Sequence, residues 1–126
     1  MIEMVASKLM EFSVQLKFFH WQTRSAFQHI AIGEAYDSVQ PLIDEMVEMI
    51  MGKYGIFQFN GMQVTNMTAQ YTDEDILLYQ TFIENAIQYL QSLNTIFNNT
   101  DSDILNKRDE IMGVFSVLQF KSSFRE

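Results

Sequence analysis

The sequence predicts an all-α fold, a single four-helix-bundle domain over residues 1–126. Apolar residues recur every three or four positions in four long stretches, the period of a helix with one buried face. Capping residues or glycine and asparagine stops separate those stretches. Proline occurs once and cysteine not at all, so few breaks and no disulfides are available. The chain is long enough to bury a core without staples.

The first helix is predicted over about 2–22, where Val5, Leu9, Phe12, Leu16 and Phe19 step by four, three, four and three. Ser25-Ala26-Phe27-Gln28 has the Ser-x-x-Gln form of a capping box, so a second helix starts just after Ser25. It runs from about 26 to 51, supplies Ile43, Met46, Val47 and Ile50 to the interior, and should kink near Pro41, which cannot donate to the carbonyl four residues back. Gly52-Lys53-Tyr54-Gly55 is its glycine stop. A third helix is predicted over about 73–97, capped by Thr72 with Asp73, Glu74 and Asp75 in its first turn, and buried through Ile76, Ile83, Ile87, Leu90, Leu93 and Phe97. Asn98-Asn99 is a turn, after which Thr100, Asp101 and Asp103 cap a fourth helix over about 101–121 with Ile104, Ile111, Phe115 and Leu118 inside.

Residues 54–71 admit two readings that exclude one another. Asn60-Gly61 between Ile56-Phe57-Gln58-Phe59 and Met62-Gln63-Val64 is a β-hairpin signal. The same segment can instead cross the length of the bundle: extended it reaches roughly 60 Å, against roughly 40 Å for the second helix.

The chemistry is concentrated in residues 20–48, which hold both histidines, the only tryptophan and the only proline. A chain reversal between His20 and His29 brings two imidazoles to one end of a helical hairpin. Along the second helix Asp37, Asp44 and Glu48 share a stripe with Gly33; His29 lies at one edge and Glu34 at the other. Imidazole plus carboxylate suits iron, manganese or zinc, and without thiolate a closed structural zinc site is disfavoured. The same acids equally suit the solvated face of an amphipathic helix, and His20, beside the first apolar stripe, equally suits a core position. The third and fourth helices hold no histidine. The Glu-x-x-His pairs of a di-iron centre inside one bundle are therefore missing, and a metal site has to be built from the first two helices.

His20-Trp21, then His29, then Asp44-x-x-x-Glu48 fifteen residues later, resembles the signature of the Dps-like members of the ferritin superfamily, with Tyr36 where that family often has an aromatic. His20-Trp21-Gln22-Thr23 together with Gly52-Lys53-Tyr54-Gly55 looks most like the short ferritin-like proteins of tailed bacteriophages. The likeness covers residues 17–55. Two features depart from it: the interval from His20 to His29 is three residues shorter, and Gly33 stands where the family usually has an aspartate.

The resemblance implies a ferritin-like bundle, with hairpins joining the first helix to the second and the third to the fourth, and a long crossover between. It further implies an inter-subunit metal site in which His20 and His29 of one chain face Asp44 and Glu48 of a two-fold partner. Iron, with zinc or manganese as substitutes, is the implied metal, and ferroxidase chemistry on Fe(II) with peroxide or dioxygen, followed by sequestration, is the implied activity. The assembly it implies is a homo-oligomer built through two-fold interfaces, up to a dodecameric cage. The alternative is a non-enzymatic helical phage structural or interaction protein with a degenerate site.

Eight basic against sixteen acidic residues give a formal net charge of −8. This opposes nucleic-acid binding through phosphates and favours attraction of cations. No apolar run approaches the eighteen residues of a membrane span. Met1-Ile2-Glu3-Met4 reads as no signal peptide, and a cytoplasmic location is expected, that of the host for a phage-encoded chain.

Overall fold

The stripe Val5, Leu9, Phe12, Leu16 and Phe19 is almost wholly buried, and three further helices are arranged about it. The computed structural model describes residues 2–59 and 75–124. It contains α1 (Ile2–Gln22), α2 (Ala26–Tyr54), α3 (Asp75–Ser92) and α4 (Ser102–Lys121), with short 3-10 turns at Leu93–Thr95 and Asn99–Asp101. No strand occurs among the described residues. The all-α four-helix bundle is therefore as the periodicity predicts.

Around the bundle α1 packs on α2, α2 on α4, and α4 on α3. Aromatic side chains close the ring between α1 and α3. Phe19 lies 5.3 Å from Tyr79, and Phe12 lies 5.6 Å from Tyr89 and 6.0 Å from both Phe82 and Phe115. The edge-to-face geometry at Phe12 is the arrangement aromatic quadrupoles prefer.

These contacts fix the directions of the helices. Phe19, late in α1, meets Tyr79, early in α3. Gln28, early in α2, donates to the carbonyls of Lys121 (2.9 Å) and Phe124 (3.0 Å) at the end of α4. Lys53, at the end of α2, reaches the carbonyl of Thr100 and the carboxylate of Asp101 at the start of α4. Each helix is antiparallel to both of its neighbours. The end of α2 and the start of α3 consequently lie at opposite ends of the bundle. The predicted crossover or hairpin over 54–71 lies, from residue 60 onward, outside the described residues, as does the Thr72 cap. Residues 55–59 have no regular structure.

Several predicted boundaries move, each for a tertiary reason. The second helix passes through Gly52 and ends at Tyr54, not Met51; Gly55, at φ 94°, is the stop, and its N–H donates to the Met51 carbonyl at 2.8 Å. The added turn is held because the Tyr54 hydroxyl donates to both Asp101 carboxylate oxygens at 2.8 Å. The helix is continuous through Pro41. The third helix ends at Ser92 instead of 97. There the buried Arg108 guanidinium donates to the Leu90 carbonyl (2.8 Å) and to Asn94 Oδ1 (2.9 Å), taking a carbonyl that helix termination leaves unpaired. The turn into α4 is capped by Asn98 and Asp101, not Thr100. Asn98 Oδ1 accepts from the Thr100 N–H (2.9 Å), and Asp101 Oδ2 accepts from the Asn98 N–H (2.9 Å). Trp21, in the last turn of α1, is 65% exposed.

Phe115 is fully buried against Phe12 and Phe82. Phe115→Ala should lower the unfolding free energy by about 3–5 kcal/mol in urea titration, because neighbouring rings cannot collapse into the space. Asp101 is buried; the Lys53 ammonium, above all, and the Asn98 N–H hold its carboxyl below the usual carboxylate range. A depressed acid contributes stability above its unfolded pKa and loses it as the pH falls through the folded one. The melting temperature should therefore drop below about pH 4, and Asp101→Asn should flatten that part of the pH profile.

Candidate metal-ligating site

The turn between α1 and α2 is only three residues long. The Thr23 N–H closes α1 on the Phe19 carbonyl at 2.9 Å. Ser25 Oγ then accepts from the Gln28 N–H at 3.1 Å and opens α2. The capping box is only half made, since Gln28 turns inward to the end of α4 and its Oε1 takes no hydrogen bond.

So short a turn sets the last residues of α1 beside the first turns of α2, and the two histidines meet. Their rings stack with centroids 3.9 Å apart and planes 16° from parallel. His20 Nδ1 lies 2.7 Å from the His29 carbonyl, and His29 Nδ1 lies 2.8 Å from the His20 carbonyl. A carbonyl only accepts, so both Nδ1 atoms carry hydrogen and donate. In the neutral rings Nε2 then holds the lone pair. A histidine anchored through one nitrogen to a backbone carbonyl while offering the other is the usual arrangement of a metal ligand. The exchange also satisfies the His20 carbonyl, one of those left open at the end of α1.

Beside the pair, Lys17 Nζ lies 4.5 Å from the Tyr36 ring centroid and 5.7 Å from that of Trp21. Gly33 lies directly under the His20 ring: a Cβ there would sit 2.8 Å from His20 Cε1. An imidazole of the same chain therefore occupies the space that the missing side chain of Gly33 leaves open.

The carboxylates are elsewhere. Asp44 and Glu48 are exposed, one turn apart on α2, and Asp44 is about 22 Å along the helix from His29 at 1.5 Å per residue. Glu34 is exposed with Lys121 at 3.8 Å, and Asp37 is exposed on the same helix. Among the described residues no three of His, Cys, Asp and Glu converge closely enough to hold a metal ion. One chain thus supplies two imidazole donors at one level and two carboxylates at another. It does not by itself bring His20, His29, Asp44 and Glu48 together.

Sequence reasoning found the histidines but missed what holds them. The rings are held by reciprocal bonds to backbone carbonyls, and Gln28 ties the start of α2 to the end of α4, distant in the chain; neither contact leaves a signal in residue spacing. Gly33 carried one, as a helical glycine within a histidine-bearing turn.

A comparison by family matches residues 20–121, from the first histidine to the end of α4. The chain belongs to the DUF5856 family. Its description is a family of unknown function. No curated protein and no solved structure matches the chain. No helix among the described residues is long and apolar enough to cross a membrane.

The reciprocal hydrogen bonds predict Nδ1–H tautomers for both histidines in their neutral form. Long-range ¹⁵N–¹H NMR of the imidazoles should show two protonated Nδ1 and two unprotonated Nε2 signals; the Nε2–H pattern at either ring would contradict the pairing.

Proposed function

We propose that the chain is a Dps-like iron-binding protein with a ferritin-like topology, which oxidises Fe(II) with peroxide or dioxygen at a site shared between two copies and sequesters the product. The observation that carries this reading is the imidazole pair, held by Nδ1 and offering Nε2 at one end of α1 and α2. Two nitrogens without a nearby carboxylate are half a ligand set for Fe(II), and the exposed Asp44–Glu48 pair is the complementary half. A two-fold arrangement that lays α2 of one copy antiparallel on α2 of another would put each half opposite its complement. Placing the end of α2 and the start of α3 at opposite ends of the bundle supports the ferritin-like crossover.

In that site His20 and His29 bind Fe(II) through neutral nitrogen, and the Asp44 and Glu48 carboxylates of the second copy stabilise the more highly charged Fe(III) product. The net charge of −8 concentrates cations near the assembly. Zinc or manganese would occupy the same N/O donors. The partners are further copies of the chain, up to a dodecameric cage.

A second reading is a non-enzymatic helical bundle, a phage structural or interaction protein whose site is a remnant. It is favoured by the failure of three ligands to converge among the described residues of one chain. Size-exclusion chromatography with light scattering after aerobic Fe(II) loading separates the two. The iron-binding reading expects a large closed assembly with iron well in excess of its chains. His20→Ala or Asp44→Ala should slow Fe(II) oxidation at least tenfold, the scale on which lost ligands and their supports act. A small metal-free oligomer, or variants that oxidise Fe(II) as fast as wild type, would sink the proposal and leave the remnant reading.

A further inference from the structure

Gly33 is the tightest point of the imidazole pair. A Cβ added there would meet His20 Cε1 at 2.8 Å and Nδ1 at 3.1 Å. Gly33 is helical with an ordinary negative φ, since Gly55 is the only glycine with positive φ among those described. Space, not backbone conformation, is therefore what demands glycine. Any side chain at 33 requires the His20 ring to shift, and that shift acts directly on its 2.7 Å bond to the His29 carbonyl and on the 3.9 Å stack.

The same contact limits what α2 can add to the site. The position facing His20 is occupied by the ring itself. Glu34 points toward Lys121, Asp37 lies one turn further along, and no third donor converges among the described residues. Among the described residues, the chain's own contribution there is two imidazole nitrogens and no oxygen. We infer that Gly33 is a positioning residue that locks the His20–His29 pair and thereby limits the site to a single divalent transition-metal ion per chain.

The inference rests on the shared-site reading above, in which a second copy adds Asp44 and Glu48. Two nitrogens and two carboxylates make the four ligands that one ion such as Zn²⁺ or Co²⁺ takes. A pair of ions held about 3.5–4 Å apart, as in two-metal sites, would have too few donors to share.

Co(II) is the probe, read by equilibrium dialysis with metal analysis on the whole protein. Imidazole ¹⁵N NMR of the metal-free protein gives a second readout that needs no bound ion. Wild type should bind one cobalt per chain. Gly33→Ala and Gly33→Asp should keep their helical circular dichroism, alanine being a better helix former than glycine. Both should lose the Nδ1–H signature of His20, and both should bind cobalt at least tenfold more weakly. Two cobalt ions per wild-type chain would overturn the single-ion limit while leaving the shared site standing. An unchanged His20 tautomer and affinity in Gly33→Ala would overturn the positioning role. No cobalt on wild type would remove the shared-site reading, and this inference with it.

Discussion

The register of α1 against α3 and α4 is the constraint on which the rest depends. Phe12 sits among Phe82, Tyr89 and Phe115, and Phe19 sits against Tyr79 and Phe82. Large rings interlocked in this way, edge to face at Phe12, resist sliding, because a shift of one turn would leave voids in an interior packed as densely as a crystal. With α1 fixed in height, its last turn is fixed too. His20, the residue after Phe19, can then only lie over the first turns of α2.

Both ends of the bundle are closed by polar side chains that do the work of helix caps. At the turn between α1 and α2, Gln28 takes two carbonyls at the end of α4, and His29 takes one at the end of α1. Arg108 takes a carbonyl at the end of α3. Where α2 ends, Asp101 gathers Lys53, Tyr54 and the Asn98 N–H. Arg108 and Asp101 are buried, and leaving either without its partners would cost about 1–3 kcal/mol or more. The helix boundaries are therefore decided by side chains from other helices as much as by local stop signals.

The imidazole pair belongs to the same logic and also departs from it. As a cap it needs only Nδ1 of each ring. The opposite nitrogens add nothing to the closure of the turn, and their availability is what separates this arrangement from a purely structural one. Gly33 extends the point, since any larger residue would serve the helix as well and only the His20 ring requires its absence. On the proposed reading, the carboxylates a long way down the same helix reach such a site only through a second copy.

Much of this was legible in the residues themselves. The four helices, the Val5–Phe19 stripe, the Ser25 cap and the meeting of His20 with His29 all follow from period, capping chemistry and a turn too short for other outcomes. Those are local properties, written within one or two helical turns. The end of α2 at Tyr54, the end of α3 at Ser92, the exposure of Trp21, the roles of Gln28 and Arg108, and the occupation of the space above Gly33 by an imidazole were not legible. Each depends on which side chain of a distant helix comes to lie alongside, and that is settled by the packing of four apolar faces into one core. Sequence determined which helices form and which donors they carry; tertiary structure decided which donors meet, because side-chain contact is set by helix register and register is a property of the whole core.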